Sequence, residues 1–153
     1  MPGPRTKPRM KSATRAKTAS SAPLAAERLR RAGLRPTRQR VELAAHLFGG
    51  SDRHVTAESL AEEVARAGIK VSLATVYNTL HQFTAAGLLR QVIVDAARGY
   101  FDTNTGDHQH FFLEEEGTLI DIPGEYIAVS GVPVPPPGLT VDRVDVVVRV
   151  RRA

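Results

Sequence analysis

The chain has 153 residues, 42% of them hydrophobic and 24% charged, with a formal charge of +5, a profile that suits one compact folded domain or two small ones. It contains no cysteine, which excludes disulfides, thiolate-bound zinc, iron–sulfur clusters and a thiol nucleophile, and leaves imidazole and oxygen as its metal donors. No apolar run approaches the roughly 18 residues needed to cross a bilayer, and 12 of the 21 Lys and Arg lie in the first 40 residues beside a single acid, Glu27.

That asymmetry points to a polyanion partner at the N-terminal end, because the remaining residues carry 9 basic against 15 acidic groups. Residues 1–23, MPGPRTKPRMKSATRAKTASSAP, show no hydrophobic periodicity and are rich in Pro, Ser, Thr and Ala. They read as a disordered basic arm. The arm has neither the apolar segment of a secretory signal nor the amphipathic stripe of a transit peptide, so a cytoplasmic protein is expected.

From Leu24 the pattern turns helical. Residues 24–33 fit a helix ended by Gly33. Thr37 is placed to cap residues 38–48, which stop at Gly49 and Gly50. Thr56 caps the next helix, where Ala57, Leu60, Ala61 and Val64 make one apolar stripe, Glu58 suits the first turn and Gly68 terminates. Ser72 caps a fourth, with Leu73, Val76, Leu80 and Phe83 on its inner face and Gly87 at its end. Residues 88–94 and 99–103 then read as strands joined by a hairpin at 95–98.

Three helices, a fourth with a polar outer face and a β-hairpin describe a winged helix-turn-helix over residues 24–104. The outer face of the fourth helix carries Thr75, Asn78, Thr79 and Gln82, with Tyr77 at its edge; these groups suit base edges in a major groove. Arg35, Arg38 and Arg40 suit phosphates or a minor groove.

Beyond the hairpin, residues 111–113, 118–122 and 141–150 read as three strands, the last two separated by the stiff, proline-rich SGVPVPPPG. A sheet of this size has open edges and little core, so residues 105–153 are expected to form a β-rich dimerisation and sensing domain that pairs with a second copy. The predicted class is therefore α+β: a winged helix-turn-helix followed by a small antiparallel β domain. Two such heads about a two-fold axis ask for an inverted-repeat duplex as partner.

DTNTGDHQHFF, residues 102–112, places His108 and His110 two apart on a strand, hence on one face. Asp102 ends the hairpin, Asp121 sits on the following strand, and His54 immediately precedes the helix capped by Thr56. These five residues offer three nitrogens and up to four carboxylate oxygens, a set suited to Fe(II), Mn(II), Zn(II) or Co(II). His46 and His81 have no such company and read as helix-surface residues.

RAGLRPTRQRVELAAHLF, DRHVTAESLAEEVARAGIKVSLATVYNTLHQFTAAGLLRQV, YFDTN and DHQHFF together resemble the ferric uptake regulator (Fur) family over about residues 24–122. The resemblance implies a dimeric winged-helix regulator of iron homeostasis that binds AT-rich inverted repeats, with one regulatory divalent metal per subunit. It places that metal on His54, Asp102, His108 and His110, with Asp121 as the fifth ligand used by peroxide-sensing members. It places DNA contacts on Arg35, Tyr77 and Asn78, where relatives often carry arginine. Leu113 and Glu116 stand where typical members begin a C-x-x-C pair, so the Cys-ligated structural zinc is excluded; Asp107 and Gln109 degrade a second metal site. GEYIAVSGVPVPPPG replaces a long dimerisation helix. A cysteine-free second lobe of this kind is similar to the iron response regulator (Irr) subgroup, which implies haem as a further ligand, held at His108 or His110.

Three other readings compete. Asp102 with Asp121 resembles the peroxide-sensing repressors of the same family (PerR). An unswitched basic nucleic-acid-binding protein would bind any duplex with a steep salt dependence. A metal hydrolase would need a general base and a substrate cleft that the sequence does not supply, so no enzymatic activity is expected.

Overall fold

A computed structural model of the chain describes residues 11–153, with side chains from residue 21 onward. Two compact units result, one built from residues up to Gln91 together with Tyr100–Asn104, the other from Val92–Gly99 and Thr105–Ala153.

The first unit is helical. It holds α1 (Lys11–Arg31), α2 (Arg38–Phe48), α3 (Ala57–Arg66) and α4 (Leu73–Ala85). Each helix after the first starts where its cap was expected: Thr37 accepts from the Arg40 N–H, Thr56 from Ser59 and Ser72 from Thr75. At α3 the bond is reciprocal, because the Ser59 hydroxyl also accepts from the Thr56 N–H at 3.0 Å, so two orphan donors of the first turn are satisfied together. The ends of α3 and α4 share one device. Gly68 and Gly87 take positive φ, which lets Ile69 reach back to the Val64 carbonyl and Leu88 to the Phe83 carbonyl, each at 2.9 Å. Ile69 and Leu88 then pack on the helical core of Leu29, Leu43, Leu60, Val64, Leu80 and Phe83.

The expected disordered arm lies in part, at residues 1–10, outside the described residues. From Lys11 the chain is helical, and α1 runs through Pro23 to Arg31. KSATRAKTASSA is rich in Ala, Lys and Arg, strong helix formers, and a helix already nucleated on the core through Ala25 and Leu29 needs no apolar stripe to extend.

A short β1 (His54–Val55) joins β2 (Arg90–Ile93) and β3 (Gly99–Asp102) in the order β1-β3-β2. The two-residue β1 was not anticipated. It pairs antiparallel with β3, setting His54 against Asp102 and Val55 against Phe101. The hairpin turn between β2 and β3 is held by Asp95, whose carboxylate accepts from the Ala97 N–H at 2.9 Å and from Arg98.

The second unit is a three-stranded sheet in the order β5-β4-β6, from β4 (His108–Leu113), β5 (Thr118–Pro123) and β6 (Val147–Val150). β5 runs antiparallel to β4, whereas β6 joins parallel. The long strand expected at 141–150 is therefore shorter: residues 141–145 are exposed and unpaired in a ladder, and pairing starts at His110 opposite Val147. β-branched composition reports fitness for a pleated surface, not the presence of a partner strand.

His46 is also corrected. Its side chain is 6% exposed, with Nδ1 3.9 Å from Glu63, and its Nε2 is buried without a hydrogen-bond partner among the described residues. Burial lowers its pKa below the ordinary value, with Glu63 opposing and Arg53 assisting. Glu63 is itself held below its ordinary value, chiefly by the two hydrogen bonds from Arg53 at 2.9 and 2.6 Å. The signs follow from linkage. The unfolded imidazole takes a proton near its ordinary value of about 6.5 while the folded one resists, so stability falls as pH drops below that point; the Glu63 contribution disappears only below about 4. Thermal midpoints measured between pH 7 and 5 should therefore fall less in His46→Leu than in the unmodified protein, and equal slopes would refute the assignment.

Candidate functional site

In the second unit, alternation along β4 puts His108, His110 and Phe112 on one face. The antiparallel register then brings Asp121 of β5 directly opposite His110. The two imidazoles are almost wholly enclosed, at 3% and 1% exposure, with ring centroids 4.6 Å apart. Their Nε2 atoms converge on a single oxygen: Oδ1 of Asp121 lies 3.6 Å from His108 and 3.4 Å from His110. His108 Nδ1 is 2.8 Å from the Gly106 carbonyl. A carbonyl only accepts, so Nδ1 carries a proton and Nε2 is the ring nitrogen turned to Asp121. An outer hydrogen bond that fixes tautomer and ring angle in this way is characteristic of metal-ligating histidine.

In the first unit, the β1–β3 pairing brings His54 and Asp102 together, with Nε2 to Oδ2 at 3.2 Å. Asp102 is 1% exposed. Its other oxygen accepts from the Asn104 N–H at 2.9 Å, which orients the carboxylate toward His54.

The donor chemistry fits a divalent cation. Two buried imidazoles and a carboxylate in one unit, and an imidazole with a buried carboxylate in the other, are nitrogen and oxygen ligands of the class that holds Fe(II), Mn(II) or Zn(II) without sulfur. Each unit brings its donors to within 4.8 Å of one another. Gly106 and Asn104, which orient these groups through the backbone, escaped sequence reasoning, since any residue type offers the same carbonyl or N–H.

Gln109, expected to mark a degraded metal site, has a definite place instead. It is 8% exposed, and its side-chain oxygen accepts from the Val146 N–H at 2.7 Å, pinning the chain just before β6.

The candidate nucleic-acid face belongs to the first unit. Asn78, Tyr77 and Gln82 are exposed on α4, and Arg35 and Arg38 are exposed at the start of α2. Thr79, expected on this face, is only 5% exposed, although it borders the same recess as Asn78 and Gln82. Tyr77 packs against His81 at 5.0 Å and edge-on to Phe101 at 6.4 Å, which stiffens its ring while leaving it 44% exposed. Arg38 forms an exposed pair with Glu42 at 3.2 Å. Arg40 differs from the other two arginines: it donates to the Gln82 side chain and to the Arg35 carbonyl. Together with Thr37, Thr75 and Asn78, Arg40 and Gln82 line a recess of about 300 Å³.

Among the described residues no helix is long and apolar enough to cross a membrane. The sequence profile of the ferric uptake regulator family matches residues 31–131. The ferric uptake regulation protein of Pseudomonas aeruginosa is 37% identical over 94 residues, 61% of this chain and 70% of that protein. The peroxide-responsive repressor PerR of Staphylococcus aureus is 32% identical over 93 residues, 61% of this chain and 62% of that protein. Among solved structures, the ferric uptake regulator from Pseudomonas aeruginosa with manganese aligns at a TM-score of 0.63 and 30% identity, covering 84% of this chain and 98% of that one. The Vibrio cholerae ferric uptake regulator, at 21% identity and a TM-score of 0.65 over 83% of this chain and 98% of its own, shares the fold. The capped helices, the hairpin and the histidine strand thus stand in the order that this profile spans, and the chain belongs to the ferric uptake regulator family.

Proposed function

We propose that the protein is a metal-responsive, DNA-binding transcription regulator of the Fur and PerR type, acting in iron homeostasis. The observation that carries this reading is the convergence of His108 and His110 on one oxygen of Asp121 in a member of that family. We assign the DNA-reading role to residues 24–104 and dimerisation with sensing to residues 105–153, in a bacterial cytoplasmic protein. One divalent ion per subunit would be held by His108, His110 and Asp121 together with His54 and Asp102, since neither set alone fills the coordination sphere of Fe(II) or Mn(II). Bound there, the ion supplies a compact positive charge that neutralises two carboxylates and ties the five donors together. The protein's share is to keep the imidazoles oriented and out of water.

The partner is a duplex with an AT-rich inverted repeat, contacted through Arg35, Arg38, Thr75, Tyr77, Asn78 and Gln82. A homodimer supplies the second head. It is supported by the exposed Phe111, Ile120, Val132 and Val141 of the second unit and by the outer edges of β5 and β6, which a second copy would cover. The iron response regulator subgroup is supported by the cysteine-free, proline-rich second unit. Haem at His108 or His110 is less well supported, because both rings are enclosed and aim at a carboxylate, an arrangement for a small ion. The buried Asp102 and the placement of Asp121 favour a peroxide-sensing repressor as the second reading.

Fluorescence anisotropy of a labelled inverted-repeat duplex under anaerobic conditions tests the proposal, run on metal-free protein, with Mn(II) and with haemin. Tighter binding with Mn(II) supports the metal switch, and release by haemin supports the haem-responsive subgroup. Identical curves in all three, with scrambled duplex bound equally, would leave only an unswitched basic binder.

A further inference from the structure

Arg40 and Gln82 stand in the middle of the proposed reading face, and their geometry limits what Gln82 offers to DNA. Arg40 lies in the first turn of α2, where its backbone N–H is engaged by the Thr37 cap. Its guanidinium sends Nε–H and Nη2–H to the side-chain oxygen of Gln82, at 3.2 and 3.0 Å. A third donor, on Nη1, meets the Arg35 carbonyl at 2.9 Å. The planar fork is thus fixed at both ends: one side holds the loop before α2, the other a side chain of α4.

A guanidinium has donors only, so chemistry dictates which end of the Gln82 amide faces it. The amide oxygen has two lone pairs, and Arg40 takes both. What remains toward solvent is the NH₂ group, with two donors and no acceptor. Gln82 is exposed and lines the recess beside Asn78 and Thr75.

Glutamine reads adenine by using both ends of the amide, donating to N7 while accepting from N6. Arg40 removes the accepting half. We infer that Gln82 is presented to the major groove as a donor only, set by Arg40, and that it selects a base edge rich in acceptors: guanine, with O6 and N7, before thymine or adenine, and cytosine last. Arg40 is accordingly a positioning residue, not a phosphate clamp. This inference rests on the proposal that α4 reads DNA.

The test uses full-length, metal-loaded protein. A duplex bound by the unmodified protein is selected from a randomised pool, and each base pair of one half-site is then replaced in turn by the other three. Anisotropy is measured with the unmodified protein, Gln82→Glu, Gln82→Ala and Arg40→Leu. The expected result is one position per half-site where guanine is favoured over cytosine by about tenfold, with that preference absent in Gln82→Ala. Gln82→Glu keeps one carboxylate oxygen on Arg40 and turns the other outward as an acceptor, so the same position should switch toward cytosine or adenine, whose amino groups donate. Arg40→Leu frees the Gln82 oxygen and should move the preference toward adenine.

Adenine preferred by the unmodified protein at the Gln82-dependent position, or a preference indifferent to Arg40→Leu, would overturn the inference while leaving the DNA-binding reading intact. The same holds if sequence preferences exist but none depends on Gln82. No selected sequence, with every duplex bound alike, would instead remove the reading itself and the inference with it.

Discussion

Replacing His110 by alanine should abolish the gain in operator affinity that Mn(II) confers. Coupling between a ligand site and a second site is commonly worth about 1–3 kcal/mol, or roughly 5–150-fold in affinity, and the whole of that factor is expected to disappear. The reason is positional. His110 is the most enclosed of the unit's three donors, at 1% exposure, and sits directly across the ladder from Asp121. Its removal takes away one of the three imidazoles proposed for the site, and with it one of the donors that hold the ion against water. Alanine also empties buried volume, so His110→Gln belongs beside it: it keeps much of the bulk and a polar end but is a poor ligand for these metals. If both variants bind operator like the metal-free protein while circular dichroism shows them folded, the convergence at Asp121 is the switch. A Mn(II) response preserved in both would remove His110 from the site and require another origin for the metal effect.

Much of this arrangement was legible before any coordinates because it is local. Thr37, Thr56 and Ser72 cap helices through bonds to residues three positions away, and Gly33, Gly68 and Gly87, each two residues beyond the end of its helix, take the positive φ that favours glycine; both signals lie in a handful of adjacent residues. The pair His108 and His110 is likewise a two-residue period, and Asp121 follows after one short turn. What was hidden depends on partners remote in sequence. β1 is two residues long and exists because β3, nearly fifty positions later, runs beside it. His46 looks like a surface residue until Glu63 of α3 and the surrounding core enclose it. Leu73, spaced like a core residue of α4, is instead 47% exposed, whereas Thr79 on the polar side is 5% exposed. Gln109 resembles a lost metal ligand in sequence; its bond to the Val146 N–H, 37 positions away, shows a strand clip. Arg40 and Gln82 are 42 positions apart, and nothing in either neighbourhood announces the contact.

Phe112→Ala is expected to cost about 3–5 kcal/mol, the range for truncating a large buried aromatic, and the loss should fall on the second unit. Phe112 is fully buried near the end of β4, the central strand of the sheet, opposite Leu119 of β5 and Arg149 of β6. Its ring also lies under two guanidiniums, with Arg98 at 4.8 Å and Arg149 at 5.7 Å. Arg149 additionally donates to the Val94 carbonyl and, at 2.9 Å, to Glu114. Arg98 stands in the hairpin turn, where it pairs with Asp95 at 2.8 Å. The ring is therefore the base on which the turn at residues 95–98 is fastened to the sheet, and a small sheet has few other apolar side chains to compensate. Hydrogen exchange separates this account from a general loss of stability: amides of residues 92–99 and 108–123 should lose protection together, while those of α2 to α4 keep theirs. Protection lost in the sheet but retained in the turn would show that Asp95 alone holds the hairpin and that the stacked arginines contribute little. Because His108, His110 and Phe112 share one face of β4, a sheet loosened by this substitution should also bind Mn(II) more weakly, although the changed side chain touches no ion.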